Sequence, residues 1–174
     1  MKNIFFIGPR GSGKTTTGKA LAKRLQLPFQ DTDEVLEKTH LATVEDIVRT
    51  HGWDGFRSRE SEVLRQVCSR QGQVIATGGG IILSPANRDL ISGVVFYLQA
   101  SEPVLFARLS QSPNSSRRPP LYTNTLREEI KTSLKEREHL YLTLAVHVLD
   151  ATKPLTTILE DIIRLYPELS RFQK

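Results

Sequence analysis

The chain has 174 residues, of which 39% are hydrophobic and 25% are charged. This composition fits one globular domain and excludes collagen and low-complexity disorder. A membrane span is also excluded, because no apolar run approaches about 20 residues. The net charge of +5 is compatible with a nucleic acid, with the phosphates of a nucleotide or with a basic surface that has no partner. The single cysteine, Cys68, excludes an intrachain disulfide and leads us to expect a reducing cytoplasm.

Short apolar segments alternate with amphipathic segments along the chain, and this alternation predicts an α/β fold with a parallel sheet flanked by helices. Strands are predicted at residues 3–7, 28–30, 74–76, 94–98 and 146–149. Helices are predicted to begin near residues 14, 33, 44, 54, 85, 102, 125 and 155. Thr43, with Asp46 three residues later, is expected to cap the helix at residue 44. Because no shift of composition marks a boundary, we expect residues 1–174 to form one domain.

Residues 111–124 interrupt the alternation, since they contain three prolines and three serines. A loop of about 14 residues inside a compact domain is usually a functional lid or a disordered segment. We predict a lid here.

A glycine-rich segment follows the first strand. Residues 8–15 read Gly-Pro-Arg-Gly-Ser-Gly-Lys-Thr and fit the P-loop pattern at every fixed position, between a strand and a helix. In such a loop, backbone N–H groups form an anion nest at a helix N-terminus. Lys14 is expected to contact the β- and γ-phosphates, and the Thr15 hydroxyl is expected to bind Mg²⁺. The segment therefore predicts a nucleoside triphosphate site.

A second magnesium ligand is expected at the end of another strand, as is usual in P-loop proteins. The third strand ends in Thr77 and three glycines, whereas the second ends at Asp31. Because the carboxyl ends of parallel strands open on one crevice, Asp31 is predicted to face the loop and to hold Mg²⁺. The alternative is that Asp31 and Asp33 only cap the helix that follows.

Three consecutive glycines at residues 78–80 suggest a small polar acceptor, because they cost stability unless something approaches the backbone closely. Arg57 offers a bidentate fork for a carboxylate, and Asp33 can accept hydrogen bonds from hydroxyl groups. The alternatives are a tight turn for the glycines and a solvated arginine on a helix. The residues alone leave this choice open.

Taken together, these motifs resemble those of the shikimate kinases, in the same order from residue 3 to about residue 150. The motifs are residues 8–15, Asp31-Thr32-Asp33, Gly55-Phe56-Arg57 with Glu60, residues 76–80 (Ala-Thr-Gly-Gly-Gly), Arg118-Pro119, and Glu136-Arg137 with Leu140-Tyr141. The resemblance implies a nucleoside monophosphate kinase-like P-loop fold with a five-stranded parallel sheet in the order 2-3-1-4-5. It also implies transfer of the γ-phosphoryl group of ATP to the 3-hydroxyl of shikimate, in aromatic amino acid biosynthesis.

The resemblance further implies roles for individual residues. ATP is expected to contact Gly11, Ser12, Gly13, Lys14, Thr15, Thr16 and Arg118. Shikimate is expected to contact Asp33, Arg57, Gly79 and Arg137, with a helical acceptor region at about residues 33–60 and the lid at residues 111–124. Catalysis is expected from Lys14, Asp33 and Arg118, and Mg²⁺ binding from Thr15 and Asp31. Within the lid, Arg118 is preferred to Arg117 because a proline follows it.

Two other functions remain open from the residues alone. A kinase of the same fold could act on gluconate, which also pairs a carboxylate with hydroxyls, or on a nucleoside monophosphate. A nucleotide-dependent switch or nucleic-acid-binding regulator is less favoured, because the chain has no Asn-Lys-x-Asp segment and its basic residues are scattered. We expect a monomer that binds ATP and shikimate and neither nucleic acid nor membrane.

Overall fold

The computed structural model describes residues 1–111 and 125–172 of the chain. Within these residues the chain forms five β-strands and seven α-helices. In chain order they are β1 (Asn3–Ile7), α1 (Lys14–Leu25), β2 (Phe29–Asp31), α2 (Thr32–His40), α3 (Val44–Cys68), β3 (Val74–Ala76), α4 (Pro85–Leu90), β4 (Gly93–Gln99), α5 (Glu102–Ser110), α6 (Leu126–Leu144), β5 (His147–Asp150) and α7 (Leu155–Leu165). Short 3₁₀ turns follow β3 at Ile81–Leu83 and α7 at Pro167–Phe172.

The strands form one parallel sheet in the order β2-β3-β1-β4-β5, which confirms the predicted fold. β1 lies at its centre, where Phe5 is in register with Ile75 of β3 and with Val95 of β4. The carboxyl ends of β1, β2 and β3 therefore open at one edge of the sheet. All three glycine-rich or acidic turns noted in the sequence begin at that edge.

Each face of the sheet carries its own apolar layer, because successive side chains of a strand point in opposite directions. On one face Ile4 and Phe6 pack with residues of α1, α5 and α7. On the other face Phe5 and Ile7 pack with residues of α2 and α3 and with Tyr141 of α6. β1 is buried along its whole length, as expected for the central strand of a sheet covered on both faces.

The observed elements differ from the predicted ones mainly at α3. The sequence predicts two helices here, and the structure joins them with a break at Gly52, whose φ of 67° and ψ of −179° suit only glycine. Thr43 caps the first half by accepting a 3.1 Å hydrogen bond from the Asp46 N–H, as predicted. Strand and helix ends shift by a residue or two elsewhere, which is the usual disagreement at element ends.

Cys68 is half-buried against the apolar layer that contains Phe5. The predicted lid, apart from residue 111, lies outside the described residues. In the described part of the chain, no helix has the length and apolarity that crossing a bilayer requires.

Candidate active site

The P-loop joins the central strand β1 to helix α1. Gly13 adopts a left-handed conformation, with φ 98°, immediately before the helix begins at Lys14. The Lys14 side chain folds back over the loop, where its Nζ donates hydrogen bonds to the carbonyl oxygens of Gly8 (2.9 Å) and Pro9 (2.8 Å). This geometry places a cation and the first turn of a helix at one end of the sheet, which is an electrostatic environment suited to phosphate.

Thr15 and Asp31 are in direct contact at this edge. The Thr15 hydroxyl donates a 2.6 Å hydrogen bond to Asp31 Oδ2, while Oδ1 accepts hydrogen bonds from the backbone N–H groups of Asp33 (3.0 Å) and Glu34 (3.4 Å). Burial raises the pKa of Asp31 above its ordinary value, although the hydrogen bond from Thr15 opposes this shift. The sequence leaves two alternative roles for Asp31, a cap of the following helix and a contact with the P-loop. The structure contains both.

A cleft of about 820 Å³ opens around these residues. Its walls include residues 10–17, Asp31, Asp33 and Lys153. Arg108 also lines it, and its Nη2 donates a 2.6 Å hydrogen bond to the carbonyl of Ala151, on the turn after β5. Sequence reasoning missed Arg108, because an arginine near the end of a helix carries no local signal of such a contact.

A second, smaller pocket lies beside the cleft. It is lined by Trp53, Arg57, Gly79 and Arg137 together with apolar residues of α5 and α6. Gly79 lines both the pocket and the cleft. The structure therefore brings three of the four predicted acceptor residues into one pocket, while Asp33 lines the adjoining cleft.

Gly78 and Gly80, the outer two of the three consecutive glycines, leave room for charged side chains of the protein itself. A Cβ on Gly78 would lie 2.7 Å from Oε1 of Glu60 and 3.0 Å from Oδ1 of Asp33. A Cβ on Gly80 would overlap the guanidinium group of Arg57. The close approach predicted from the sequence exists, but it is made by the site's own carboxylates and arginine.

Arg57 is held from several sides. Its Nη1 donates a 2.5 Å hydrogen bond to Oε2 of Glu60, a carboxylate that is only 2% exposed. Its guanidinium carbon lies 5.1 Å from the ring centroid of Phe56 and 5.8 Å from that of Trp53. Trp53 is therefore part of the pocket wall.

Arg137 lines the pocket from α6, and Tyr141 of the same helix lies outside the lining. Arg137 is 5% exposed, and Tyr141, one turn later, donates a hydrogen bond from its hydroxyl to the carbonyl of Gly79. The sequence motif includes Tyr141, but no local pattern distinguishes this hydroxyl from that of any other core tyrosine.

The family model for shikimate kinase matches residues 10–166 of the chain. The chain belongs to the shikimate kinase family. It is accordingly a kinase, and the members of its family use ATP. A shikimate kinase 2 from Syntrophotalea carbinolica is 47% identical to it over 166 residues, which cover 94% of this chain and 96% of the relative.

Solved structures extend the comparison to three dimensions. A shikimate kinase from Acinetobacter baumannii, in complex with shikimate, matches with a TM-score of 0.90 and 32% identity, covering 97% of this chain and 94% of that one. A gluconokinase from Sinorhizobium meliloti has a TM-score of 0.55 and 19% identity, so its likeness shows only a shared fold. The relationship to shikimate kinases is thus much closer than that to the gluconate enzyme.

Arg118, like Arg117, lies outside the described residues, so its contact with phosphate stays a prediction. In the described part of the chain, no group of three or more His, Cys, Asp or Glu side chains is arranged to hold a metal ion.

Proposed function

We propose that this protein transfers the γ-phosphoryl group of ATP to the 3-hydroxyl of shikimate, as a step of aromatic amino acid biosynthesis. The observation that carries the proposal is the position of Gly79, which lines both the P-loop cleft and the pocket containing Arg57 and Arg137. A nucleotide on the P-loop and a small acceptor beside the arginines would meet at this residue.

The P-loop end of the site is suited to the donor. Residues 11–16 would surround the phosphates of ATP with backbone N–H groups and hydroxyls, and Lys14 would neutralise charge on the β- and γ-phosphates. Phosphoryl transfer has a loose transition state, so catalysis depends mainly on positioning and charge neutralisation. Arg118 would add a second positive charge.

The pocket is suited to an acceptor that carries one carboxylate and several hydroxyls. Arg57 and Arg137 would bind the carboxylate, since a guanidinium group forms paired hydrogen bonds with it. Asp33, in the adjoining cleft, would accept a hydrogen bond from a ring hydroxyl and orient it toward the nucleotide. Glu60 would keep Arg57 in place through the hydrogen bond that it already accepts.

Thr15 and Asp31 fit a magnesium ion, because both present oxygen atoms and Mg²⁺ prefers oxygen ligands completed by phosphate and water. Their contact at the mouth of the P-loop supports this assignment. When bound, the ion would neutralise phosphate charge. Removal of the metal with EDTA should abolish turnover, and added Mg²⁺ should restore it.

Acceptor-dependent formation of ADP tests the proposal. Purified protein with ATP should release ADP rapidly with shikimate and at background rate with gluconate or AMP, and phosphorus NMR should identify 3-phosphoshikimate. Lys14→Met should remove most of this turnover while circular dichroism shows an intact fold. A higher kcat/KM for gluconate or AMP than for shikimate would overturn the proposal.

We also propose that the enzyme is a cytoplasmic monomer that binds no nucleic acid. The described residues assigned to ATP and to shikimate line one cleft and the pocket beside it. Light scattering during gel filtration should report a mass near 19.6 kDa. A stable dimer would overturn the monomer assignment and leave the assigned reaction untouched.

A further inference from the structure

Helix α6 carries two site residues on one face. Arg137 and Tyr141 are four residues apart, so they are neighbours on the helix surface. Both are buried, with exposures of 5% and 1%. The Tyr141 hydroxyl donates a hydrogen bond to the Gly79 carbonyl, and the positive charge of Arg137 acts on the same phenol. The hydroxyl therefore ties the glycine turn to the helix face that carries Arg137.

The phenol is a stable hydrogen-bond donor. Burial raises the pKa of Tyr141 well above its ordinary value, although the positive charges of Arg137 and Arg57 partly oppose the shift. The group therefore stays protonated at neutral pH, and its proton points to the carbonyl of Gly79.

Tyr97 provides an internal comparison. Its ring stacks on that of Tyr141, with centroids 5.0 Å apart and planes 23° from parallel. Its hydroxyl is also buried but has no hydrogen-bond partner among the described residues. The two tyrosines thus share one environment, and only the Tyr141 hydroxyl bonds to the site.

We propose that the Tyr141 hydroxyl is a positioning group that sets the Arg137 guanidinium and the Gly79 turn relative to each other, and thereby sets where the acceptor binds. Tyr141 does not line the pocket itself, so it acts through Arg137 and Gly79. The proposal rests on the assigned use of shikimate, because it explains the geometry of that same pocket.

Tyr141→Phe tests the proposal, since it keeps the ring and its stacking and removes only the hydroxyl. Loss of the hydrogen bond to the Gly79 carbonyl, and of the hydroxyl dipole near Arg137, should raise the KM for shikimate about tenfold. The KM for ATP should stay within about twofold, because Tyr141 does not line the cleft around the P-loop. Tyr97→Phe is the matched control, and its KM for shikimate should also stay within about twofold of the unmodified enzyme.

Binding without turnover gives a second readout. Trp53 is the only tryptophan of the chain and lines the pocket, so its fluorescence should report the Kd for shikimate directly. This Kd should rise about tenfold in Tyr141→Phe and stay unchanged in Tyr97→Phe. Tyr141→Met, whose flexible side chain fills space without a hydroxyl, is a second variant in case the first folds poorly.

The outcomes separate the two proposals. If the unmodified enzyme does not phosphorylate shikimate, the assigned function fails. If it does, but the hydroxyl-free variants keep its KM and Kd for shikimate, the positioning role of Tyr141 is wrong. A lower melting temperature with unchanged shikimate affinity would show that the hydroxyl serves only stability, and equal losses for ATP and shikimate would also overturn the proposal.

Discussion

The guanidinium group of Arg57 donates a 2.5 Å hydrogen bond to Glu60, a carboxylate that lies three residues later and is 2% exposed. This pair connects acceptor recognition with stability. Arg57→Ala should raise the KM for shikimate about ten- to a hundredfold, because a charged hydrogen-bonding partner of the substrate carboxylate is lost. It should also lower the free energy of unfolding by about 1–3 kcal/mol, since Glu60 stays buried without its guanidinium partner.

The two effects can be measured separately. In the double variant Arg57→Ala/Glu60→Gln, the buried charge is gone, so urea unfolding should show that part of the lost stability returns. The KM for shikimate should remain high. A normal KM in Arg57→Ala would contradict the carboxylate-binding role of this residue.

Gly80 is expected to control the position of Arg57. A methyl group at Gly80 would overlap the guanidinium, and because that group ends a flexible side chain, the arginine would move rather than the backbone. Gly80→Ala should therefore raise the KM for shikimate about tenfold while the melting temperature changes by only a few degrees. Unchanged steady-state kinetics in Gly80→Ala would show that the site tolerates a displaced arginine.

Arg118 is expected to act in catalysis rather than in acceptor binding. Loss of an arginine that neutralises the transferring phosphoryl group commonly costs about 10³-fold or more in turnover. Arg118→Ala should therefore lower kcat by about that factor, with the shikimate Kd from Trp53 fluorescence nearly unchanged. Arg117→Ala is the matched control, and an equal loss in both variants would contradict the choice of Arg118.

Cys68 should react slowly with alkylating agents. Burial raises the pKa of its thiol to about 11, so at pH 8 only about one molecule in a thousand carries the reactive thiolate. Iodoacetamide should modify the folded enzyme about a hundredfold more slowly than the chain in urea, and the rate should rise about tenfold per pH unit. Because the chain has a single cysteine, mass spectrometry reads the result directly; equal rates with and without urea would contradict it.

Leu41 is a position where the enzyme can be stabilised. It ends α2 in the left-handed conformation, with φ 49°, and its side chain is 94% exposed. Glycine adopts this conformation without strain, so Leu41→Gly should add up to about 1 kcal/mol of stability and raise the melting temperature by about 2–4 °C. Leu41→Ala loses the same apolar side chain but keeps the strain, so calorimetry should find no comparable gain.

The order of the sheet could be predicted because each strand leaves a local signal. Residues 4–7 are continuously apolar and run into a P-loop, and this combination specifies a buried central strand followed by a helix. The break at Gly52 could not be predicted, since a glycine within a helical pattern indicates only a weak point. The structure resolves it as a change of direction that brings Trp53 into the pocket wall.

The site was less predictable than the fold, because several of its contacts join residues far apart in the chain. Residue types alone do not show that the Tyr141 hydroxyl meets Gly79 or that Arg108 contacts the turn after β5. The sequence predicts a close approach to the glycines at residues 78–80. It does not show which groups make this approach, because Glu60 and Arg57 come near the glycines only after folding.

The two oxygens of Asp31 have a consequence for communication between the substrates. One oxygen accepts a hydrogen bond from the first turn of α2, which carries Asp33, and the other accepts one from Thr15 in the first turn of α1. A rotation of this single carboxylate therefore changes both bonds together. A nucleotide that displaces Thr15 is accordingly expected to act on the helix that carries Asp33 through only two hydrogen bonds.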